Sequence, residues 1–67
     1  MPEHEVFLTT EELAERYKRS AQTILRWRSA GKGPAYMDIN GSILYAMSDI
    51  LAYEAANKFI PEGWLNE

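Results

Sequence analysis

The chain has 67 residues, a formal net charge of −3, no cysteine and one histidine, His4, so it has room for one small core and cannot build a disulfide staple or a thiolate metal site. Its 46% hydrophobic content argues against disorder, no apolar run approaches the roughly 20 residues that cross a bilayer, and no signal-peptide pattern precedes the first helix. These features predict a small soluble globular domain over residues 1–67, cytoplasmic, with no membrane partner.

The first predicted element opens with Leu8-Thr9-Thr10-Glu11-Glu12-Leu13. Thr9 followed three residues later by Glu12 is a capping box, in which each side chain satisfies a backbone N–H near the other, and Leu8 with Leu13 forms the matching hydrophobic staple. Leu13, Ala14 and Tyr17 then mark one face of a helix from Thr10 to Tyr17. Lys18-Arg19-Ser20 is a short turn, with Ser20 as N-cap of a second helix from Ala21 to Ala30 that Gly31 stops in a left-handed conformation. At about 100° per residue, Ser20, Thr23, Ile24 and Trp27 share the side facing the first helix, while Gln22, Leu25, Arg26 and Ser29 share the outer side. Two short helices joined by such a turn make a helix-turn-helix.

After Gly31-Lys32-Gly33-Pro34, the segments Ala35 to Ile39 and Ser42 to Ala46 flank Asn40-Gly41. Both of these residues accept the positive φ of a type I′ turn, so a β-hairpin is expected. Ser48 is the predicted N-cap of a third helix from Asp49 to Asn57, with Ile50, Tyr53 and Leu51 considered for its apolar face. The predicted fold is mainly α with a β-hairpin, a winged helix-turn-helix with its core in residues 8–57 and an apolar tail at 58–67.

Six of the seven basic residues, Arg16, Lys18, Arg19, Arg26, Arg28 and Lys32, fall within one seventeen-residue stretch that none of the ten carboxylates interrupts. A local excess of +6 in an acidic chain suits a polyanion, double-stranded DNA first; from charge alone a merely solvated face is the alternative. The acids carry no enzyme signal, since Glu11, Glu12 and Glu15 serve as cap, dipole partner and solvated face. With no nucleophile–base pair, glycine-rich phosphate loop or metal spacing, no catalytic residue, cofactor, metal or small-molecule substrate is expected.

The order helix, turn, helix, hairpin, helix resembles the winged helix-turn-helix of the MerR superfamily, and within it the small phage excisionases (recombination directionality factors) and AlpA-type regulators. The likeness is carried by Leu8 to Ala14, by Ser20, Thr23, Ile24 and Trp27, by Gly31-Lys32-Gly33-Pro34, and by Tyr36, Tyr45 and Ser48-Asp49-Ile50. It implies that the second helix enters the major groove. For an excisionase it also implies binding to repeated sites beside an attachment site, DNA bending, an integrase partner steered toward excision, and cooperative self-association on DNA. An AlpA-type transcriptional regulator is the alternative, and a protein-interaction module without DNA binding is a third reading. Two departures stand out. Lys18 occupies a turn position where relatives usually carry glycine, and the hairpin offers Asp38, Asn40, Ser42, Leu44, Ala46 and Met47 where relatives usually carry basic residues.

Gln22, able to pair bidentately with adenine, and Arg26, with guanine, are the expected base readers, accompanied by Ala21, Leu25 and Ser29. Lys18, Arg19, Ser20, Thr23, Arg28 and Lys32 are the expected phosphate contacts, and Arg16 joins them or pairs with Glu12 on its own helix. At the wing, Asn40, Gly41 and Ser42 touch sugar–phosphate or serve only as turn residues. Tyr17, Ile24, Trp27, Tyr45 and Tyr53 are assigned to the core. The surplus apolar residues Leu44, Met47, Leu51, Phe59, Ile60, Trp64 and Leu65 suggest one extra apolar surface, covered by the tail or joining neighbouring copies.

Overall fold

The structure, a computed structural model, describes residues 5–61. In chain order its elements are β1 (Phe7–Leu8), α1 (Thr10–Tyr17), α2 (Ala21–Ser29), β2 (Met37–Ile39), β3 (Ser42–Ala46) and α3 (Met47–Asn57). The three strands form an antiparallel sheet in the order β1-β3-β2, so the fold is a helix-turn-helix with a hairpin wing.

Local chemistry sets most element boundaries. The capping box at α1 is complete: Thr9 Oγ1 accepts from the Glu12 N–H at 3.1 Å, and Glu12 Oε1 accepts from the Thr9 N–H at 2.9 Å. Both ends of the helix-turn-helix close in the left-handed stop that satisfies orphan carbonyls. At α1, Lys18 takes φ 58°, and the Arg19 N–H reaches Ala14 O at 2.9 Å. At α2, Gly31 takes φ 74°, and the Lys32 N–H reaches Trp27 O at 2.7 Å. The hairpin turn has Asn40 at φ 53° and Gly41 at φ 89°, as the Asn-Gly pair predicts, and Asp38 Oδ1 accepts from the Gly41 N–H at 2.9 Å.

Several expectations are corrected. The segment Phe7–Leu8 is a third strand as well as the lead-in to the cap: Phe7 lies opposite Ala46 and Leu8 opposite Tyr45. The hairpin strand opens at Met37 instead of Ala35, with Met37 opposite Leu44, so the Tyr45 and Ala46 end of β3 pairs with β1 instead. Helix α2 ends at Ser29, with Ala30 as its cap. Ser48 does not cap the third helix, which begins at Met47 behind an Ala46 with no side-chain cap bond. Its hydroxyl instead donates to Glu5 Oε2 at 2.9 Å. The Met47 N–H, donated to Val6 O at 2.8 Å, continues the β1–β3 pairing into the first turn of α3, which is why the helix starts early.

The core gathers Leu13 and Ala14 of α1, Ile24 of α2, Tyr45 of β3 and Ile50 of α3, all buried, with Leu8, Tyr17, Ala21, Trp27, Ile43 and Met47 packed around them. Each large aliphatic among them contributes about 1.5–3 kcal/mol by leaving water. A tilted aromatic cluster extends this core, with Tyr17 6.1 Å from Trp27 and 6.4 Å from Tyr53 between ring centroids. Leu51 points outward, half exposed, so it is not on the packing face of α3. Of the residues expected to make an extra apolar surface, Met47 packs on the core, Leu44 lines the groove beside α2, and Leu51 is half exposed. Phe59 and Ile60 are exposed, and Trp64 and Leu65 lie outside the described residues.

Candidate nucleic-acid interface

Helix α2 is held by its inner side. Ile24 is fully buried and Trp27 packs against the core, which turns Gln22, Leu25, Arg26 and Ser29 outward as one exposed strip. Ala21, the other expected base reader, is half-buried: it packs against the core and lines an open groove of about 470 Å³ with Leu25, the start of α1 and residues 42–44 of β3.

The N-termini of α1 and α2 differ in charge. The first turn of α1 carries Glu11 and Glu12, and Glu12 is engaged in its cap, so that end already holds its own anions. The first turn of α2 carries no acid. Ser20 Oγ accepts from the Thr23 N–H at 3.2 Å, the two hydroxyls meet at 3.1 Å, and Lys18 and Arg19 lie immediately before this end of the helix. The positive end of the α2 dipole and two hydroxyls therefore lie directly after two exposed cations, with no carboxylate in the helix's own first turn; Glu11 of α1 borders the adjoining groove, and Arg19 borders another with Trp27, Tyr53 and Glu54.

The six clustered cations fall into two groups. Lys18, Arg19, Arg26 and Lys32 are exposed, and none takes part in an ion pair among the described residues. Arg16 and Arg28 are engaged within the fold. Arg16 does not pair with Glu12: its Nε and Nη2 donate to the two Glu54 carboxylate oxygens at 2.6 and 2.9 Å, tying α1 to α3. Glu12 is unavailable because it is occupied in the capping box. The Arg16 guanidinium holds the Glu54 carboxyl down at about 2, with the neighbouring Tyr17 adding to the effect. Burial, then the nearby Glu54 charge, pushes Tyr17 up to about 12. The buried Tyr17 hydroxyl lacks a partner of good hydrogen-bond geometry among the described residues, so we read its influence on Glu54 as one of proximity. Arg28 Nη1 donates to Thr10 Oγ1 at 3.3 Å and to Tyr45 OH at 3.1 Å, and its guanidinium carbon lies 5.5 Å from the Tyr36 ring centre.

At the wing, Asn40, Gly41 and Ser42 are exposed at the hairpin tip beside Ile39, and Asp38 is used to brace the turn. The tip presents no cation. Glu54, Thr10 and Tyr36 are the partners that sequence reasoning did not assign; Glu54 is 38 positions from Arg16, and no local pattern marks such a pairing.

Among the described residues no group of three or more His, Asp or Glu could hold a metal ion, and no helix is long and apolar enough to cross a membrane. A family model described as a helix-turn-helix domain matches residues 7–58. No curated protein and no solved structure matches the chain.

Proposed function

The chain belongs to the helix-turn-helix domain family, and from that premise we propose that it is a sequence-specific DNA-binding protein of the excisionase type, with no catalytic activity of its own. The observation that carries this reading is the outer side of α2: Gln22 and Arg26, exposed one turn apart, follow a helix start whose own first turn carries no acid and which Lys18 and Arg19 precede. In the major groove, Gln22 reads adenine and Arg26 guanine, each discriminating by about 1–3 kcal/mol. Leu25 meets a thymine methyl, and Ser29 extends the strip. Ala21 allows close approach at the groove edge.

Lys18, Arg19 and Lys32, with the hydroxyls of Ser20 and Thr23, hold phosphates and set the register without reading sequence. Asn40, Gly41 and Ser42 of the wing rest on sugar and phosphate by shape, since the tip lacks charge. A module with so few contacts binds weakly alone, so several copies on repeated sites are required. Together they offset a bending cost of about 1–6 kcal/mol for a 20–30 bp site and present the bent DNA to an integrase.

An AlpA-type transcriptional regulator would use the same face of α2. Selection of bound duplexes from a random pool, followed by footprinting on the host genome, separates the roles. Direct repeats at an attachment site are expected; an operator overlapping a promoter would assign the regulator. No mobility shift on random DNA at low salt would leave only a protein-interaction module.

A further inference from the structure

Arg28 belongs to the basic stretch of α2, yet its guanidinium is directed into the protein. One nitrogen, Nη1, serves two acceptors from different elements: Thr10 Oγ1 in the first turn of α1 at 3.3 Å and Tyr45 OH of β3 at 3.1 Å. The same group lies over the Tyr36 ring, just before β2, and that ring is 6.0 Å from the ring of Tyr45. Tyr45 is 2% exposed, so its hydroxyl lies among groups that exclude water and gains from a charged donor. Arg28 therefore joins α2 to α1, to β3 and to the residue that leads into β2.

We propose that Arg28 is a positioning residue that fixes the angle between the α2 reading face and the wing, and is not a phosphate contact. The proposal rests on the DNA-binding reading above. Its chemistry is particular to arginine. A planar guanidinium can stack on Tyr36 while donating in its own plane, whereas a lysine ammonium supplies the charge without the flat face. Misaligning helix and wing leaves phosphate attraction intact, because the four free cations do not depend on Arg28, but it separates Gln22 and Arg26 from their base edges.

The test compares Arg28→Lys, Arg28→Met and Tyr45→Phe with the unsubstituted protein. The probes are a duplex selected from a random pool by the unsubstituted protein and a random duplex of equal length. Circular dichroism sets a working temperature at which every variant is folded. Arg28→Lys and Arg28→Met are both expected to lower the ratio of selected to random affinity by tenfold or more. The slope of log affinity against log salt on random DNA should stay unchanged. Tyr45→Phe should lower the ratio in the same direction by a smaller factor, again at constant slope. A phosphate contact predicts the opposite: Arg28→Met loses about 0.9 from the slope, Arg28→Lys restores it, and the ratio holds. That outcome overturns the proposal while leaving DNA binding in place. Failure of the unsubstituted protein to bind either duplex overturns both.

Discussion

Lys18 combines two demands that pull in opposite directions. Its backbone sits at φ 58°, where a side chain costs roughly 1–2 kcal/mol and glycine sits freely. Its ammonium, exposed just ahead of α2, belongs to the proposed phosphate-binding end. Lys18→Gly is therefore expected to stabilise the fold by about 0.5–1 kcal/mol after the greater chain entropy of unfolded glycine is counted, raising the melting temperature by a few degrees. The same variant should bind DNA more weakly, with a salt slope smaller by about 0.9. Thermal melts and salt titrations of one sample check both halves. A lower melting temperature would mean that the lysine side chain supports the fold in a way its exposed position does not suggest.

At the scale of elements, α2 divides its duties by face, and substitutions should separate them. Ile24→Ala removes a fully buried side chain and should cost about 2–5 kcal/mol, enough to unfold much of so small a domain. Gln22→Ala should leave the melting curve unchanged and relax preference at one base position by about 1–3 kcal/mol. The link from α1 to α3 is testable by pH. The folded Glu54 carboxyl is held at about 2 against an ordinary 4.5, so its contribution is complete above pH 4.5 and is lost as pH falls through about 2. Glu54→Gln should accordingly melt below the unsubstituted protein at neutral pH, with the two curves converging toward pH 2. Tyr17, raised to about 12 from 10.0, acts at the other end: its contribution holds below pH 10 and fades as pH rises through 12. The elements legible in the sequence are those whose signals are local. Thr9 with Glu12, Ser20 with Thr23, and Asn40-Gly41 are all decided within four residues, and each forms as expected. What escaped reading depends on distant partners. Strand β1 exists because β3 lies beside it, Ser48 turns away from its cap toward Glu5, and Arg16 and Arg28 find Glu54, Tyr45 and Thr10 across the fold.

For the whole molecule, the decisive property is charge separation. The chain carries −3 overall, so it approaches DNA productively only if the basic side leads. Counting all six clustered cations overstates the grip, because two are engaged within the fold; on random duplex, which offers Arg26 no selected guanine, the four free cations Lys18, Arg19, Arg26 and Lys32 give a log–log salt slope of about −3.6. Titration of affinity on random duplex from low to moderate salt checks this, and a slope steeper than about −5 would show that Arg16 and Arg28 leave their partners on binding. The orientation itself is read most directly by nuclear magnetic resonance shift mapping with a duplex selected from a random pool. The account predicts the largest changes at Gln22, Arg26 and the segment from Lys18 to Thr23, smaller ones at Asn40 to Ser42, and none along the outer side of α3. Saturated binding that leaves Gln22 and Arg26 unmoved would contradict it.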